Sequence, residues 1–96
     1  MRDVALFLSK VRKPTKILRV TFFGANNSVM LSYRPYYLEL KFKTGEAAEK
    51  FYREVLSAKC PNTDKFVNRV MEIIKKLREE IVKAKFFEIS IYAFTR

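Results

Sequence analysis

Apolar and polar residues alternate most regularly over residues 36–43. Tyr36, Leu38, Leu40 and Phe42 fall on one side, and Tyr37, Glu39, Lys41 and Lys43 on the other. A period of two is that of a strand with one face in a core and one toward solvent. Residues 17–23 repeat the pattern: Leu18, Val20 and Phe22 share one face, and Ile17, Arg19, Thr21 and Phe23 the other. The segment from Gly24 to Ser28 has turn chemistry, since Gly and Asn tolerate positive φ, and residues 29–34 return as a second strand. Pro35 cannot donate to a ladder and marks the break before the third strand.

The spacing then changes. Thr44 is a helix cap, with Ala48, Phe51, Tyr52, Val55 and Leu56 forming an apolar stripe behind it. Lys59 to Thr63 separates this helix from a second, expected over residues 64–83. In it Val67, Val70, Ile74, Leu77, Ile81 and Ala84 recur at alternating steps of three and four. That stripe serves either to pack a long helix on the sheet or to form a homodimer seam through Val67, Val70, Ile74, Leu77 and Ile81. Residues 86–94 are expected as the last strand. Phe87, Ile89, Ile91 and Ala93 are its core face, and Phe86, Glu88, Ser90, Tyr92 and Phe94 its other face. At the N-terminus, Asp3 caps a short helix carrying Val4, Phe7, Leu8 and Val11, or the same residues form an apolar strand; the spacing favours the helix. The expectation is an α+β fold in one domain, residues 1–96. It has a mainly antiparallel four-stranded sheet, two principal helices packed on one face and a short N-terminal helix.

Charge changes the picture. The net charge is +10. Residues 1–45 hold nine Lys/Arg against Asp3 and Glu39, whereas residues 46–96 hold eleven against eight acidic residues. The excess therefore sits in the first half and suggests a polyanionic partner. No apolar run approaches the roughly 20 residues needed to span a bilayer, so a membrane partner is not expected. The short apolar run at residues 4–8 lacks a small-residue cleavage site, which leaves the cytoplasm as the expected location. Cys60 is the one cysteine, and with no histidine to activate it the thiol reads as a packing residue. The chain has no glutamine and is rich in Lys and Glu, a balance found in proteins of thermophiles.

The inventory disfavours catalysis. Most carboxylates lie beside Lys or Arg on helices, as at Glu49, Glu54, Glu72, Glu79 and Glu80. Only Glu39 and Glu88 sit on strands, and if those strands are neighbours the pair is the one place for a Mg²⁺-dependent nuclease. Two glycines make no phosphate cradle, and zinc lacks ligands, so no cofactor or metal is expected.

Binding chemistry is better represented. With the apolar faces against the helices, the other sheet face collects Arg19, Phe23, Tyr37, Lys41, Lys43, Tyr92 and Phe94. Tyr33 and Arg34 lie at its margin, and the basic loop residues Arg12, Lys13 and Lys16 extend it. Rings stack on bases and cations meet phosphates, which suits single-stranded DNA or RNA read with little sequence preference. The N-terminal segment decides how open this face is. Laid over it, Phe7 and Leu8 turn Phe23, Tyr92 and Phe94 into core; set beside it, they leave a cleft. The rival reading is a small protein-interaction or regulatory module, of a kind a virus could encode, that dimerises through residues 64–84.

The strands at 17–23 and 36–43, with the helix through Val70, Ile74, Leu77 and Ile81, resemble the ThermoDBP family of archaeal single-stranded nucleic-acid-binding proteins. The resemblance is one of architecture over most of the chain. It implies a nucleic-acid-binding function and an archaeal origin, and it assigns no individual site residue.

Overall fold

The computed structural model describes residues 2–89. The elements run α1 (Arg2–Leu8), β1 (Arg19–Phe23), β2 (Ser28–Tyr33), β3 (Tyr36–Phe42), α2 (Gly45–Ala58), α3 (Thr63–Lys76) and β4 (Ile81–Glu88). The strands form one antiparallel sheet in the order β1-β2-β3-β4, each paired with its neighbour in sequence. This is the α+β arrangement expected from the periodicities.

Local chemistry sets most boundaries. A short 3-10 turn at Gly24–Asn26 joins β1 to β2 and closes with Asn27 at φ 55, a left-handed conformation that asparagine tolerates better than most residues. Arg34 and Pro35, joined by a cis peptide, turn β2 into β3. The Thr44 hydroxyl accepts from the Ala47 amide at 3.1 Å and starts α2. Asn62 Oδ1 accepts from the Lys65 amide at 3.0 Å and starts α3, which carries Asp64 in its first turn and Lys75 and Lys76 in its last.

All three helices lie on one side of the sheet. Val4, Phe7 and Leu8 of α1, Phe51 and Val55 of α2, and Phe66, Val70 and Ile73 of α3 share one cluster with Val29, Leu31, Leu38, Leu40 and Phe42 of the strands. The N-terminal segment thus joins the helical layer, leaving the opposite sheet face uncovered among the described residues. The loop after α1 is held to the same layer by buried Val11, Pro14 and Leu18. Thr63 Oγ1 donates to the Arg12 carbonyl at 2.6 Å, and Lys59 Nζ to the Leu18 carbonyl at 2.8 Å.

Three expectations need correction. First, the helix expected to reach Lys83 ends at Lys76, a 3-10 turn spans Arg78–Glu80, and β4 begins at Ile81. Helix propensity across residues 77–85 loses to ladder pairing along β3, from Phe42↔Ile81 to Tyr36↔Glu88. The stripe at steps of three and four therefore stops at Leu77. Val70, Ile74 and Leu77 are buried in the core, while Ile81 and Ala84 belong to the strand. Second, the faces of the last strand are reversed. Leu38 pairs with Phe86 and Leu40 with Ala84, so Phe86 points to the helices and Phe87 away from them. Third, Asp3 lies inside α1, and its carboxylate accepts from the Phe86 amide at 2.8 Å.

That last bond occupies a donor on the outer edge of β4, which would otherwise offer itself to another strand. Replacing Asp3 by Ala is expected to cost about 1–3 kcal/mol and to speed hydrogen exchange at the Phe86 amide selectively. Amide exchange followed by NMR checks this; unchanged protection at Phe86 would refute it.

Candidate nucleic-acid interface

Residues directly opposite on paired antiparallel strands project from the same face, so the register fixes the composition of the uncovered face. It is a grid of three rows. Phe23, Ser28, Lys41 and Lys83 form the first; Thr21, Met30, Glu39 and Lys85 the second; Arg19, Ser32, Tyr37 and Phe87 the third. Four cations face one carboxylate. Arg19, Thr21, Lys41, Lys83 and Lys85 are exposed, and Phe23 is 41% exposed. No helix of the described residues is long and apolar enough to cross a membrane.

Tyr37 and Phe87 lie at one end of the grid with Arg19, Phe23 lies at the other with Lys41 and Lys83, and Lys85 stands between. Tyr37 and Phe87 stack on each other across β3 and β4, with centroids 5.3 Å apart and planes 13° from parallel. Lys85 Nζ lies 5.8 Å from the Phe87 ring centre. On the other side of Tyr37 stands the small Ser32, and beyond it Arg19. Two strand spacings separate Arg19 from Tyr37, about 10 Å between backbones. At the other end, Asn26, Ser28, Glu39, Lys41, Lys83 and Lys85 line a hollow of about 210 Å³.

Of the residues singled out from sequence, Arg19, Phe23, Tyr37 and Lys41 meet on this face. Tyr33 does not. It pairs with Tyr36, packs against the core on the helical side, and accepts from the Lys13 amide at 3.2 Å. Arg34 is exposed in the turn after it, and Lys43 is exposed just past the end of β3. Arg12, Lys13 and Lys16 belong to the loop anchored on the helical side; Arg12 Nη1 donates to the Ser9 and Val11 carbonyls at 2.8 and 3.0 Å. They flank the helices and do not extend the grid. Tyr92 and Phe94 lie outside the described residues. Glu39 and Glu88 fall on opposite faces, because Glu39 pairs with Lys85 and Glu88 with Tyr36, so they are not placed to share a metal ion.

Lys83, Lys85 and Phe87 were missed from sequence. The signal was present: Val82, Ala84 and Phe86 alternate with Lys83, Lys85 and Phe87, the same period that revealed β3.

Compared with protein-family models, curated proteins and solved structures, the chain matches none. Its function must be read from the grid itself.

Proposed function

We propose that the chain binds single-stranded nucleic acid, DNA or RNA, with little sequence preference and without catalysis, on the uncovered face of its sheet. The observation that carries the reading is the composition of that face: aromatic rings and cations interleaved on one rigid lattice, with a single carboxylate among them. A base stacked on Tyr37 or Phe87 gains free energy whatever its identity, and phosphates beside Arg19, Lys41, Lys83 and Lys85 displace counterions. The three rows of the grid hold no Asn or Gln and a single Arg, the side chains that pair bidentately with base edges, which fits weak sequence preference.

Fluorescence anisotropy of a labelled oligothymidine over a salt series tests it. With up to four phosphates neutralised, the slope of log K against log salt is expected near −0.7 per phosphate, about −3 in all, so raising salt from 50 to 200 mM weakens binding about fiftyfold. Tyr37→Ala is expected to lose about 1–3 kcal/mol, a factor of about 5 to 150 in Kd. Absence of binding at low salt, or equal binding by Tyr37→Ala, would overturn the reading.

A further inference from the structure

The first row of the grid sets Lys41 directly opposite Lys83 on adjacent strands. Like charges in that relation destabilise a sheet. Lys85 stands on the same face two residues along, opposite Glu39, and all three lysines border one hollow. The ion pairs within the described residues lie on α2 and α3, joining Arg53 to Glu49, Arg69 to Glu54 and Glu72, and Lys76 to Glu54. The hollow therefore keeps an opposed lysine pair that the fold itself does not neutralise. Departures of this kind from locally favourable design gather where a protein has a ligand to hold.

Resting on the nucleic-acid reading above, we propose that this hollow receives the terminal phosphomonoester of a single strand, and that the first bases run from it along β3 and β4 toward Tyr37 and Phe87. Charge separates an end from the interior of a strand. Lys41, Lys83 and Lys85 less Glu39 leave a formal +2 around the hollow. A phosphomonoester carries about −1.5 to −2 at pH 7, whereas each internal phosphodiester carries −1. The dianion thus matches the hollow and the diester leaves it half neutralised. Four residues of strand separate Lys41 from Tyr37 and Lys83 from Phe87, about 13 Å. Phosphate capture and base stacking accordingly occur at two ends of one short track.

Three unlabelled oligonucleotides of one sequence, bearing a 5′-phosphate, a 3′-phosphate or hydroxyls at both ends, are competed against a labelled strand at fixed ionic strength. One phosphorylated form is expected to bind at least tenfold more tightly than the hydroxyl form. That advantage should vanish in Lys83→Ala and persist in Arg19→Ala, which weakens all three alike. Equal binding by the three forms overturns the end-recognition proposal while leaving general strand binding intact, as does an advantage that survives Lys83→Ala. If no oligonucleotide binds, the nucleic-acid reading itself fails, and thermal melting in inorganic phosphate against chloride at matched ionic strength decides the hollow alone. A phosphate-dependent rise in Tm that Lys83→Ala abolishes supports a phosphomonoester site; no rise removes it.

Discussion

Replacing Phe51 by Ala is expected to lower Tm by about 12 °C or more. Phe51 is fully buried on α2, and its ring lies 5.3 Å from that of Phe42, tilted by 41°. Phe42 is fixed from two directions, by its place in β3 and by its amide, which donates to the Asn27 carbonyl at 2.8 Å. The wall opposite Phe51 therefore has little freedom to collapse into the space the ring leaves. Phenylalanine-to-alanine changes at such sites cost about 3–5 kcal/mol, and 1 kcal/mol moves Tm by about 4–8 °C in a domain near 100 residues. Leu56→Ala, five residues along the same helix but 41% exposed, is the control and should leave Tm nearly unchanged. Circular dichroism melts of the two variants check both halves. Similar melts would mean that α2 is not packed as described.

The second large effect separates stability from binding. Lys83→Glu turns the opposed Lys41↔Lys83 pair into one of opposite charge. Cross-strand pairs of opposite charge stabilise where like pairs do the reverse, so the variant is expected to melt at or slightly above the wild-type temperature. Its affinity for a single strand should fall at least tenfold at 50 mM salt, about 1.4 kcal/mol, because one phosphate contact is replaced by repulsion. The salt slope should become shallower at the same time. Lost affinity with a retained fold would assign this lysine to ligand and not to architecture. A variant that binds like the wild type would take β4 out of the interface.

The outline of this fold was legible in the chain because its signals are local. Alternation reveals β1 and β3, Thr44 marks the start of α2, and Asn27 with Gly24 marks the first hairpin turn. What escaped was non-local. Residues 77–85 mix the helix formers Arg, Glu, Lys and Ala with β-branched Ile81 and Val82 and a local alternation, and pairing with β3 decides for a strand from Ile81 onward. The candidate site suffered from the same cause. With the last strand expected from residue 86 and in the opposite phase, Phe87 falls on the core side, Lys83 at the end of the expected helix and Lys85 between the two elements. Tyr33 failed for a different reason. A half-buried tyrosine reads equally well as a stacking ring or as a packing ring, and the Lys13 amide that engages its hydroxyl is twenty residues away.

The bond from the Phe86 amide to Asp3 joins groups 83 residues apart in sequence. Loop-closure entropy and order of synthesis then act together. A chain emerging N-terminus first carries α1, whose partner on the sheet is the last of the described strands to be made. Until that strand arrives, the outer edge of β3 is unpaired and α1 can pack against β3 but lacks β4. The meander of β1, β2 and β3 can pair as it is made, and the sheet is completed only when β4 adds to β3 and brings the Phe86 amide to Asp3.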